Sequence, residues 1–133
     1  MRILLITALM LTGICAADAR KPARDEAAEN DAKLAKALTG LTPGAPQNCI
    51  GQGLGRFQTQ VIGNTILYKS GRKLVYRNDT TGGCEKAGFG DALVSRNSTA
   101  EICNGQIIRT FDFASRITTG SCSLGKFVPY RAQ

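Results

Sequence analysis

Asn64-Thr65-Ile66-Leu67-Tyr68-Lys69-Ser70-Gly71-Arg72-Lys73-Leu74-Val75-Tyr76-Arg77 is the stretch that decides the fold. Two runs with aliphatic and aromatic residues flank Lys69-Ser70-Gly71-Arg72, a turn supplied with a glycine. The pattern predicts a β-hairpin with strands over 64–69 and 73–77. Ile66 and Tyr68 share one face, and Leu74 and Tyr76 share a face across from them.

Further strands are expected on both sides of this hairpin. Residues 56–62 alternate in part, and Gly63-Asn64 marks a turn. After the hairpin, Asp79-Thr80-Thr81-Gly82-Gly83 forms a loop into Cys84. Residues 92–95, 106–111 and 126–130 supply three more short strands, punctuated by Gly88, Gly90, Gly105, Gly120 and Gly125. Five to six short strands with glycine turns predict a mainly β domain over 49–133, a small antiparallel β-barrel or sandwich.

Toward the N-terminus, Thr42-Pro43-Gly44-Ala45-Pro46-Gln47 breaks regular structure, and 42–48 reads as a linker. Before it, 20–41 reads as a short N-terminal α-helical arm. Pro22 suits a first turn, and Asp25, Glu26 and Glu29 lie near the positive end of the helix dipole. Leu34, Leu38 and Leu41 form a thin apolar stripe, and Gly40 is placed to cap the C-terminus. So thin a stripe leaves the helix marginal alone, either docked on the domain or loose as an arm. Use as a partner-binding helix is the alternative.

Residues 1–19 read as a cleaved signal peptide. Met1-Arg2 opens a short apolar run over 3–14, and Ala17-Asp18-Ala19 supplies a small-x-small cleavage pattern. The cut is expected after Ala19, with Ala17 as the second choice. The run falls short of the roughly 20 residues that span a bilayer, which disfavours a retained anchor. Cys15 is not a lipid-attachment site, because Ile14 rather than a small residue precedes it. This places the mature chain in the periplasm or outside the cell, with no transmembrane segment after signal removal.

That location fixes the meaning of the cysteines. Cys49, Cys84, Cys103 and Cys122 remain, an even number in an oxidising space, and read as two disulfides. Without Cys-x-x-Cys, neither a zinc knuckle nor a thioredoxin-type pair is signalled. Of the three pairings open to four cysteines, the nested one is favoured, Cys84–Cys103 with Cys49–Cys122. The second bond would tie the first residues of the domain to its last strand.

The C-terminal half resembles an uncharacterised family of small exported proteobacterial proteins of the sphingomonad type. The resemblance rests on Asn48-Cys49-Ile50, Tyr76-Arg77-Asn78, Gly83-Cys84, 102–107 (Ile-Cys-Asn-Gly-Gln-Ile) and 120–130 (Gly-Ser-Cys-Ser-Leu-Gly-Lys-Phe-Val-Pro-Tyr). It spans roughly 34–131 and implies export, disulfides and a β domain. In that family an Asp commonly follows the glycine after the third cysteine; here Gln106 stands there.

The 133 residues carry a net charge of +7 and no histidine. Without histidine, Ser–His–Asp and Cys–His nucleophile arrangements are excluded. From Asn48 onward eleven Lys/Arg face five Asp/Glu, so the folded part is itself basic. Such charge favours anionic partners or solubility in an anionic envelope. Asp79, Glu85, Asp91, Glu101 and Asp112 show no spacing that selects a glycosidase pair. Gly51-Gln52-Gly53-Leu54-Gly55 lacks the strand-to-helix context of a phosphate loop. Asn78-Asp79-Thr80 and Asn97-Ser98-Thr99 match the glycosylation pattern and read as turns.

Lys69, Arg72, Lys73 and Arg77 cluster on the hairpin beside Tyr68 and Tyr76. They are the candidate anion-binding residues, as on a barrel of the OB type that stacks bases on aromatics. The competing reading makes the tyrosines core and the charges a solvated face. The expectation is a monomeric, exported, non-catalytic interaction or structural module of the envelope. It needs no metal or cofactor, and its partner is an anionic envelope component or an envelope protein. The alternatives are an OB-like barrel binding nucleic acid or anionic lipid or glycan, and a small hydrolase.

Overall fold

The computed structural model describes residues 23–51, 57–96 and 100–133. The predicted signal peptide, most of the glycine-rich 51–55 stretch and the 97–99 glycosylation pattern fall outside the described residues.

The predicted hairpin is present. Strands β4 (Thr65–Ser70) and β5 (Leu74–Asp79) pair antiparallel, with Tyr68 opposite Tyr76 and Ser70 opposite Leu74. Four consecutive residues of β4, Thr65 to Tyr68, are buried, which requires cover on both faces of the sheet. Alternation sends Ile66 and Tyr68 one way and Leu67 and Val75 the other.

The hairpin is the centre of a five-stranded antiparallel sheet. Strand β3 (Gln58–Ile62) pairs with β4 on one side. On the other, β5 pairs with the last strand, Phe127–Ala132, which pairs with β1 (Leu41–Pro43) at the edge. Two smaller antiparallel sheets accompany it. One joins β2 (Cys49–Gly51) to β7 (Glu101–Cys103); the other has the order β6 (Ala92–Ser95), β8 (Ile107–Asp112), β9 (Ile117–Ser123). A 3-10 helix, Glu85–Phe89, precedes β6, and the last strand is β10. The result is sandwich-like rather than a closed barrel, and the described residues hold ten strands where five or six were expected.

The inner face of the large sheet gives Ile66, Tyr68 and Phe127 to a core shared with Ile50, Cys84, Ile102, Ile108, Cys122 and Leu124. The outer face carries the helix α1 (Ala23–Ala37). Leu34, Ala37 and Leu38 pack on Ile62, Leu67, Val75 and Tyr130. Of the two uses open to the arm, it docks. Its acidic first turn and Lys36 in the last turn match the helix dipole, and Gly40 leaves it at φ 76°, the left-handed value a capping glycine allows.

Residues 42–48 do not hang free as a linker. Thr42 and Pro43 pair with Arg131 and Tyr130, and Gly44 N–H donates to the Pro129 carbonyl at 2.7 Å. Gln47 and Phe127 exchange both backbone hydrogen bonds, at 2.8 and 2.9 Å. Pro43 is tolerated because β1 is an edge strand, where one side of the ladder needs no donor.

The disulfides are Cys49–Cys103 and Cys84–Cys122, an interleaved pattern in place of the predicted Cys84–Cys103 and Cys49–Cys122. Strand neighbourhood decides it. Cys49 and Cys103 stand directly opposite each other on β2 and β7. Cys122 points inward from β9 to Cys84, at the start of the 3-10 helix. Closing the domain onto its last strand falls instead to the Gln47–Phe127 pairing, so no sulfur is needed there. Chain entropy assigns each bond about 2–4 kcal/mol.

Candidate interaction surface

The predicted basic cluster is divided by the hairpin. Arg72 and Lys73 are exposed at its turn, and Lys69 is half-buried. Arg77 Nε donates to Asp79 Oδ1 at 3.0 Å, and Thr65 donates its hydroxyl to the same oxygen at 2.7 Å. The Asp79 carboxylate raises the Arg77 pKa still further above its usual value, which keeps the guanidinium charged. Leu67 stands opposite Arg77, and Lys69 opposite Val75, so the two cations belong to the face that carries α1. Tyr68 and Tyr76 belong to the other face. There Phe57 meets both rings edge-on at 6.0 Å, and Tyr68 meets Phe127 at 5.7 Å. The tyrosines are core, and burial pushes the Tyr68 hydroxyl up to about 12. The hairpin therefore offers cations without a stacking platform.

The carboxylates singled out by sequence serve local structure. Asp79 holds Thr65 and Arg77. Glu85 Oε1 accepts the Gly83 N–H at 2.8 Å. Asp91 accepts the Thr119 hydroxyl. Asp112 accepts the Ser115 hydroxyl at 2.6 Å and the Ala114 N–H at 2.8 Å, and these bonds hold its pKa below the usual carboxylate range. Glu101 lies beside Cys49 and Cys103, but the two sulfurs are spent on each other and offer no thiolate to a metal. Gln106 uses its side chain to accept the Cys103 N–H at 3.1 Å, closing the Asn104-Gly105 turn. Asn78 is fully buried, which excludes it as a glycan acceptor.

A groove of about 650 Å³ runs between α1, the β3–β4 turn and the 3-10 helix, lined by Glu26, Asn30, Asp31, Asn64, Arg77 and Glu85 among others. Glu26 and Asp31 stand on the exposed side of α1, and Glu85 is turned toward its own loop.

The more unusual surface is the outer side of the β6–β8–β9 sheet and its tip. Along β8, Ile108 and Thr110 point into the core, while Ile107, Arg109 and Phe111 point out. Val94 of β6 lies opposite Arg109. Ile107 is 57% exposed and Val94 41%. At the β8–β9 turn, Phe113 is 73% and Ile117 56% exposed. Phe113 packs edge-on against Phe111 at 5.2 Å. The turn is held in shape by Asp112 and closes through Arg116, the non-glycine residue at φ 59°. The 3-10 helix packs against β3 as well as β8 and β9, and the Lys86 charge reaches Asp112. Phe89, 85% exposed, lines the groove between α1 and the 3-10 helix.

Sequence reading missed this end because it ended the strand at Phe111 and left 112–119 unassigned. The available signal was two large apolar residues, Phe113 and Ile117, bracketing the polar turn Ala114-Ser115-Arg116. No described helix is long and apolar enough to cross a membrane. No family model matches the chain, and searches of the curated proteins and of the solved structures return no match.

Proposed function

We propose that the chain is an exported, disulfide-stapled interaction module of the bacterial envelope that works by presenting a surface rather than by catalysis. The observation that carries this reading is the outward face of the β6–β8–β9 sheet, where Val94 and Ile107 stand in water and Phe113 continues the same alternation at the tip, on a sheet braced by Cys84–Cys122. Exposed apolar groups gathered on one surface mark interaction sites, whereas single ones do not. Asp79, Glu85, Asp91 and Asp112 each accept a hydrogen bond from a nearby hydroxyl or backbone N–H. Export is supported by the signal-like residues 1–19 and by two disulfides, which persist in oxidising compartments.

A photo-crosslinking residue at position 107, on the sheet face, and another at position 72, on the hairpin turn, test the reading in intact cells. Adducts at 107 and none at 72 support the sheet face. Adducts at 72 alone overturn it in favour of the basic hairpin as an anion-binding site.

A further inference from the structure

We infer that the groove beside α1 binds a neutral saccharide, at a site separate from the β6–β8–β9 sheet face. At about 650 Å³ it has the size of a small-ligand cleft. Two glycines line it where a side chain would not fit. Gly63 turns β3 into β4 at φ 55°, and a Cβ there would lie 2.8 Å from the Asn30 amide nitrogen. Gly88 brings the 3-10 helix so close to β3 that a Cβ would sit 3.1 Å from the Val61 carbonyl oxygen. Three carboxamides face this space: Asn30 on the helix, Gln60 on β3 and Asn64 in the turn. None of the three side chains has a hydrogen-bond partner among the described residues. Phe89 stands on the 3-10 helix side, 85% exposed. The cations of the groove are matched by carboxylates outside it, Lys33 by Glu29 at 2.9 Å and Arg77 by Asp79 at 3.0 Å. Glu26 and Asp31, exposed at the rim, remain as acceptors.

The needs of these groups select the ligand. A sugar hydroxyl donates and accepts at once, so neighbouring hydroxyls satisfy carboxamides and carboxylates together. The C–H face of a sugar ring covers the aromatic ring of Phe89, which otherwise stays in water. An anion finds the cations spent and meets Glu26, Asp31 and Glu85. An apolar ligand strips water from three amides and returns no hydrogen bond. A peptide adding as a strand needs the free edge of β3, and the 3-10 helix already lies against β3 at Val61. A neutral saccharide leaves none of these groups short. Phe89 supplies its platform and Asn30 its hydrogen bonds.

Titration of the isotope-labelled, oxidised protein with maltotriose, cellotriose and tri-N-acetylchitotriose, followed by amide NMR shifts, tests this. The expected result is saturable binding of at least one of them at millimolar concentration, unchanged by salt because the ligand is neutral. The shifts should gather in α1, the Gly63-Asn64 turn and the 3-10 helix. Phe89→Ala and Asn30→Ala should each weaken binding by about tenfold or more. Both positions lie outside the two buried cores, so the disulfides and the thermal midpoint should stay as in the parent. Absence of shifts with all of the sugars overturns the saccharide. Saturable shifts that leave the groove untouched, or full affinity in the Phe89→Ala variant, overturn the site. Shifts with inorganic phosphate but not with sugar, lost in Arg77→Gln, overturn the neutral ligand in favour of an anion. None of these outcomes bears on the crosslinks at position 107, so the groove and the sheet face fail separately.

Discussion

The side-chain amide of Asn78 holds both backbone groups of Gly125. Asn78 Nδ2 donates to the Gly125 carbonyl at 2.7 Å, and the Gly125 N–H donates to Asn78 Oδ1 at 3.0 Å. Asn78 is on the inner face of β5, opposite Ile66 and Phe127, and has no exposed surface. A side chain thus continues the ladder where β9 has ended and β10 has not begun.

Asn78→Ala removes both bonds and takes the partner from the Gly125 N–H and from the Gly125 carbonyl. The expected cost is about 2–4 kcal/mol, against about 1 for an ordinary hydrogen bond. Asn78→Asp should cost more, because its carboxylate faces the Gly125 carbonyl and cannot donate. Gly125→Ala should be equally damaging, since a Cβ there would run into the Asp79 carbonyl oxygen. Urea denaturation of the three oxidised variants measures this; losses below 1 kcal/mol for all three would contradict it.

The two disulfides should differ in reactivity. Cys84 and Cys122 are 2% and 3% exposed, whereas Cys49 and Cys103 are half-buried on a short two-stranded sheet. Exchange needs a thiolate to reach a sulfur. Under mild reductant, alkylation followed by mass spectrometry should label Cys49 and Cys103 first, with Cys84 and Cys122 following only as the domain opens. The reverse order would mean that the Cys84–Cys122 region opens locally.

How far the chain could be read from sequence follows the size of each element's own signal. β4 and β5 were legible because Ile66, Leu67, Tyr68, Val75 and Tyr76 are dense in β-forming residues around a glycine turn. β9 was not, because Thr118, Thr119, Gly120 and Ser121 look like loop. Gly120 is small there because the Gly83 carbonyl crosses against it. β1 was hidden by Pro43, permitted at an edge. β2 and β7 span three residues each, and their pairing is a tertiary fact. Cysteine parity predicted two bonds, but only the neighbourhood of β2 with β7 selects Cys103 for Cys49. The basic residues were legible by type, but the sheet face each one occupies depends on what covers that sheet.

Tyr68 makes stability fall at alkaline pH. Its hydroxyl is held up to about 12 by burial, above its ordinary 10. Below pH 10 both folded and unfolded chains keep the proton, and the group contributes no pH dependence. Between about 10 and about 12 the unfolded chain releases it first, so stability drops by about 1.4 kcal/mol per pH unit. Tyr68→Phe should remove that slope. Urea midpoints at pH 9, 10 and 11 for both proteins check it.

Asp112 acts in the opposite direction, at acid pH. Its pKa is lowered, first by the Ser115 hydroxyl and then by the Ala114 N–H. The tip is therefore fully supported above the unfolded value, about 4, and loses that support as pH falls through the lower folded value. Between pH 5 and 8 the tip should not change. Asp112→Ala should leave the global midpoint near that of the parent but speed amide exchange at 113–116. Unchanged exchange there would mean that the Asp112 bonds do not order the tip.

The docking of α1 rests on Leu34, the one residue of the helix that is buried. Around it the helix offers Ala37 and then Leu38, against Ile62, Leu67 and Val75. Its exposed Glu29–Lys33 pair, at 2.9 Å, adds about 0.3–0.5 kcal/mol, too little to hold fifteen residues alone. Leu34→Ala should therefore release the helix rather than unfold the protein. The inner core, with Phe127, Ile66 and the Cys84–Cys122 disulfide, lies on the other side of the large sheet and does not depend on Leu34. Hydrogen exchange should show 23–37 losing protection while β4, β5 and β10 keep theirs. Because β1 is paired to β10 through its own backbone, release should stop near Leu41. Simultaneous loss of protection in α1 and β4 would mean instead that the helix is an indispensable part of one cooperative core.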